Sequence, residues 1–91
     1  MTDTVRDNPA RHRFELDADG EVAFANYHRD GSVLIVNRTE VPLHLRGQGI
    51  GARLVKGVLD IARAEKLTVV PRCSYVSAFI RRHPDYADLL G

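Results

Sequence analysis

The chain has 91 residues, 44% of them apolar and 27% charged, enough for one small core and too few for a complete Rossmann domain, TIM barrel or kinase. Thirteen Lys and Arg against twelve Asp and Glu leave a net charge of +1, so no global pull toward nucleic acid or an anionic membrane is encoded and any anion site must be local. The lone cysteine, Cys73, excludes an internal disulfide and a cysteine zinc cluster, and fits a reducing cytoplasm.

Met1 to His12 is polar, carries Pro9 and reads as a flexible N-terminal leader (residues 1–12) before a single domain over residues 13–91. No apolar stretch fits a secretory signal or a membrane-spanning helix. From Arg13 the pattern alternates. Phe14 and Leu16 mark a first strand, Asp19-Gly20 a turn, and Glu21–His28 a second strand. Asp30-Gly31 turns the chain again into Ser32–Val41, rich in β-branched residues. Two Asp-Gly turns between three such runs predict an antiparallel meander.

Pro42 and a short polar bridge lead to Arg46-Gly47-Gln48-Gly49-Ile50-Gly51. Ile50, Leu54, Val58 and Ile61 then recur at helical spacing, predicting an amphipathic helix from near Gly49 to near Lys66. Leu67–Val70 reads as a buried strand, Ser74 as the cap of a second helix carrying Val76, Phe79 and Ile80, and Pro84 as its stop. The order predicts a mixed α+β fold: three-stranded antiparallel meander, helix, a strand parallel to the third through a right-handed crossover, and a final helix.

Gly47, Gly49 and Gly51 lack Cβ atoms at a strand-turn-helix junction. There the backbone can approach a ligand closely, and the first-turn N–H groups and the helix dipole favour an anion such as phosphate. The spacing matches neither the Walker A nor the dinucleotide pattern. Close packing of helix on sheet is the competing use of such glycines; Arg46 beside them favours the anion site.

Arg46-Gly47-Gln48-Gly49-Ile50-Gly51, followed by Ala52 and Leu54, resembles the acyl-CoA pyrophosphate loop of the GCN5-related N-acetyltransferases. With Thr39-Glu40-Val41-Pro42, Val69-Val70-Pro71-Arg72-Cys73 and Tyr75 to Tyr86, the resemblance narrows to a minimal branch of that family and covers nearly all of residues 13–88. It implies an acetyl-CoA-binding domain, with coenzyme A held by backbone N–H groups from Gln48 to Ala52. Arg46, and Arg53 or Lys56, would lie near phosphates, and Val41 would offer main-chain hydrogen bonds to the pantetheine arm. An N–H near Val41 would polarise the thioester carbonyl. Two departures stand out: Arg38 replaces a histidine common in relatives, and Glu65-Lys66 replaces a helix-ending glycine.

Two routes to acyl transfer are open. Glu40 is the best-placed carboxylate to take a proton from an acceptor amine; its competing use is a surface pair with Arg38, which strand alternation places on the same face. Cys73, at a strand-to-helix junction that favours a thiolate, is marked by the resemblance as a candidate nucleophile, against the alternative of a small buried residue. His12, His28, His44 and His83 are too scattered to form a metal motif. The sequence therefore predicts a cytoplasmic acetyl-CoA-dependent N-acyltransferase acting on an amine or protein acceptor, as a monomer or weak homodimer. It is expected to have no nucleic-acid or membrane partner. A non-catalytic coenzyme A-binding sensor module is the alternative, because so short a chain has few residues left to enclose an acceptor.

Overall fold

A computed structural model describes residues 4–91. Its five-stranded sheet runs in sequence order: β1 (Arg6–Asn8), β2 (Arg13–Ala18), β3 (Glu21–Asp30), β4 (Val33–Glu40) and β5 (Thr68–Pro71). The first four pair antiparallel, and β5 is parallel to β4 from Val33↔Thr68 to Val36↔Pro71. Helix α1 (Ile50–Ala64) makes the crossover between β4 and β5, and α2 (Ser74–Arg82) follows β5. The expected mixed α+β order is the observed one.

Alternation sets the core. Phe14, Leu16, Ala23, Ala25, Tyr27, Leu34 and Val36 share one sheet face, and they pack with Leu54, Val55, Val58 and Leu59 of α1 and Val76, Phe79 and Ile80 of α2 in one buried cluster. No helix among the described residues is long and apolar enough to cross a membrane.

The leader expected over residues 1–12 is corrected by β1. Met1–Asp3 lie outside the described residues, but Arg6–Asn8 pair with Arg13–Glu15. Val5 packs so closely on α1 that a Cβ added to Gly57 would fall 2.7 Å from Val5 Cβ. The reason is long-range: Glu15, buried on the outer sheet face, accepts from Arg6 Nη2 at 2.9 Å, Asn8 Nδ2 at 3.1 Å and Arg13 Nε at 2.7 Å. Tyr27 Oη also donates to Asp7 at 2.6 Å. A polar segment is ordered by acceptors that arrive later in the chain.

Two helix ends also differ in detail from expectation. Cys73 occupies the cap position of α2 and Ser74 is its first helical residue. Helix α1 closes with a left-handed residue, Lys66 (φ 58°), where Leu67 N–H reaches Ala62 O at 2.8 Å and Lys66 N–H reaches Arg63 O at 3.2 Å. This is the Schellman arrangement without its usual glycine. After α2, the 3-10 segment Pro84–Leu90 is clamped to α1 by Arg63–Asp88 (2.7 Å) and by Tyr86 Oη to Asp60 (2.7 Å).

Two predictions follow from these contacts. Lys66→Gly removes the left-handed penalty and should stabilise the fold by about 1 kcal/mol, read as a higher Tm; an unchanged or lower Tm refutes it. The Arg13 guanidinium, with Asn8 and Arg6 and against the opposing effect of burial, holds the Glu15 carboxyl below its ordinary range. Because the folded value is depressed, that stabilisation is complete above the unfolded value and disappears as pH falls through the folded one. Glu15→Gln should cost about 2 kcal/mol at neutral pH and should lose less stability than the parent on acidification, measured by urea unfolding at several pH values.

Candidate functional site

Beyond Val36 the two parallel strands separate. Pro71 ends β5, and the N–H groups of Arg72 and Cys73 both donate to the Val36 carbonyl, each at 3.0 Å. β4 continues alone with β3, but with one residue too many: Tyr27 faces Val36 and Asn26 faces Arg38, leaving Asn37 as a bulge. The gap between the diverging chains opens a cleft of about 490 Å³ at the N-terminus of α1.

Thr39 and Val41 from β4 and its extension form one wall of the cleft, and Gly47, Gly49, Ile50 and Gly51 from the loop and first helical turn form another. Leu45, 2% exposed in the 3-10 turn Leu43–Leu45, anchors the loop in the core. Gly47 (φ 84°) and Gly49 (φ 79°) are left-handed with open space where a side chain would stand. Gly49 caps α1 with no side-chain hydrogen bond, no acidic residue lies in the first turn, and the first helical bond runs from Arg53 N–H to Gly49 O at 3.1 Å. The N–H groups of Ile50, Gly51 and Ala52 precede that bond, at the positive end of the dipole. The backbone is thus arranged to receive an anion.

Gly51 has a different task. A Cβ there would lie 2.7 Å from Tyr75 Cζ, so its smallness lets the Tyr75 ring close against the helix end. Tyr75 lines the cleft and, with Ala52, Phe79, Arg82 and His83, a neighbouring cavity of about 230 Å³. Of the two uses weighed from the sequence, Gly51 serves close packing, but against α2 and not against the sheet, while Gly47 and Gly49 face open space.

The other expected site residues divide. Arg46 lines the cleft, with Nε on the Val41 carbonyl at 3.2 Å and Nη2 4.0 Å from Glu40. Gln48 turns back to His44 O at 3.5 Å, and His44 itself pairs with Glu21. Arg53 is exposed on α1, and Lys56 is held by Asp60 at 2.9 Å. Glu40 lies on the outer sheet face, where its Oε1 accepts from Arg38 Nε at 2.9 Å and Nη2 at 2.5 Å; it borders a shallow groove with Phe24 and Glu21.

Cys73, half-buried at the cap of α2, is not among the residues that line the cleft; its Sγ lies 3.4 Å from Oγ1 of Thr39, which is. Burial acts to raise its pKa. The Thr39 hydroxyl and the backbone N–H groups of Val76 and Tyr75 outweigh burial and hold the thiol below its ordinary value. Thr39, Tyr75 and Leu45 were not singled out from the sequence as site residues. The only signal available was strand parity, which puts Thr39 on the same face as Val41.

A family model described as GCN5-related N-acetyl-transferase matches residues 13–89. Protein NATD1 of Bos taurus is 35% identical over 52 residues, or 57% of this chain and 46% of that protein, so the match spans about half the length of this curated relative. The NMR solution structure of a GCN5-like protein from Staphylococcus aureus superimposes with a TM-score of 0.71 at 25% identity, covering 93% of this chain and 84% of that one. With the family matched from β2 through α2 and the fold shared along nearly its full length, the chain belongs to the GCN5-related N-acetyltransferases.

Proposed function

We propose that this chain binds acetyl-CoA in the cleft at the N-terminus of α1 and transfers the acetyl group to an amine, free or on a protein, by way of Cys73. The observation that carries the reading is the acid-free, uncapped start of α1, opened by two left-handed glycines in a cleft that is also lined by Thr39, whose hydroxyl contacts Cys73. Backbone N–H groups from Gln48 to Ala52 take the pyrophosphate, and Arg46, already fixed by the Val41 carbonyl, adds a positive charge at little further entropic cost. The pantetheine arm runs along Val41 into the gap between β4 and β5, and an N–H near Val41 faces the thioester oxygen.

The chemistry is two thioester steps. The Cys73 thiolate bonds to the acetyl carbon as the carbon–sulfur bond to CoA breaks, and the departing thiolate takes up one proton. An acceptor amine then displaces the Cys73 sulfur, forming the amide and returning the thiol. Glu40 as base for direct transfer is less favoured, because its carboxylate is committed to Arg38 on the opposite sheet face.

Gly49→Glu places a side chain and a negative charge in the pyrophosphate position, on backbone at φ 79°. Acetyl-CoA affinity by calorimetry should fall by about 100-fold or more; equal affinity in parent and variant refutes the site. Incubation with acetyl-CoA should add one acetyl group to the intact protein, and Cys73→Ala should abolish both that adduct and turnover against a panel of amines. Turnover that persists in Cys73→Ala rules out the relay, whereas binding without any turnover supports a coenzyme A-sensing module instead.

A further inference from the structure

We infer that Thr39 is a positioning residue for the Cys73 thiol, turned onto it by the surplus residue Asn37. Leu34 and Val36 are buried on the helix-covered face, and unbroken alternation would send Arg38 and Glu40 to that face and Thr39 away from it. The bulge at Asn37 inverts the parity. Thr39, opposite Ala25, now points toward the helices, while Arg38 and Glu40, opposite Asn26 and Phe24, point outward. Bulges re-aim side chains in this way at the cost of an interrupted ladder.

The re-aimed hydroxyl meets a sulfur whose backbone is held by the same stretch of strand. The N–H groups of Arg72 and Cys73 are fixed to the carbonyl of Val36, the residue immediately before the bulge. Val36 therefore holds the cysteine on one side and starts the bulge that brings in the threonine on the other, and Oγ1 and Sγ lie 3.4 Å apart. Thr39 also forms part of the cleft wall, so the hydroxyl that contacts the sulfur borders the cleft. A hydroxyl accepts from a thiol and donates to a thiolate, so one residue keeps the sulfur aimed in both protonation states. Facing the sulfur from α2 are the N–H groups of Tyr75 and Val76. The charged Arg38–Glu40 pair lies on the outer face of β4, so the groups acting on the thiol from β4 and α2 are neutral.

The inference rests on the reading that Cys73 accepts the acyl group, but it is testable without acetyl-CoA. Cys73 is the chain's one cysteine, so the rate of iodoacetamide alkylation of the whole protein against pH reports its ionisation. Thr39→Val keeps the branched shape and removes the hydroxyl; Thr39→Ser keeps the hydroxyl. The Val variant should move the profile to higher pH and slow alkylation at neutral pH by about tenfold, the scale of one hydrogen bond to a charged group, while the Ser variant follows the parent. A Val profile that overlays the parent overturns the inference. So does a Ser profile displaced as far as that of Val, since packing and not the hydroxyl would then be responsible. A displaced Val profile in a protein that takes no acetyl group from acetyl-CoA upholds the Thr39 role and overturns the transfer reading on which its purpose rests.

Discussion

The carbonyl of Val36 closes the parallel ladder, and the site is organised around that closure. Pro71 opposite it has no N–H to donate, and the next two N–H groups, of Arg72 and Cys73, converge on this one oxygen. From that point β4 has no partner on one side. The chain leaving β5 turns into α2, and β4 bends away through the bulge at Asn37. A cleft opens because two strands stop sharing hydrogen bonds at a defined residue, and its walls are whichever side chains the bulge leaves facing inward.

The near-neutral composition makes this local construction necessary. With a net charge of +1, the attraction that an anion would meet is confined to oriented backbone N–H groups and the Arg46 guanidinium on the cleft lining. Both helices that flank the cleft begin without an acidic residue in the first turn, and they meet where Tyr75 closes on Gly51. The start of α1 leaves its first-turn N–H groups without a side-chain cap, whereas at the start of α2 those of Tyr75 and Val76 face the Cys73 sulfur. The same electrostatic feature thus recurs at two helix starts that meet at the cleft.

A core this small leaves stability to be supplemented at its margins. The buried carboxylate of Glu15 gathers three donors from β1 and β2, and Arg63 with Tyr86 ties the last 3-10 segment to α1. These contacts lie away from the cleft. The stabilising polar networks and the cleft are therefore separate, and the cleft can keep its exposed backbone, left-handed glycines and interrupted ladder.

Much of this was legible in the residues in order. Alternation and the Asp-Gly turns predicted the meander, the spacing of Ile50, Leu54, Val58 and Ile61 predicted α1, and the glycine loop marked the turn that opens it, since these depend on interactions within a few residues of one another. What only the tertiary structure decided depends on partners far apart in the chain. β1 is ordered by Glu15 and by Val5 on Gly57, Gly51 is small because of Tyr75, and Thr39 in place of Glu40 faces the cleft because one unpaired residue reverses the parity of β4. A sequence records local periodicity directly, whereas a one-residue shift in strand register appears only when the neighbouring strand is present to count against.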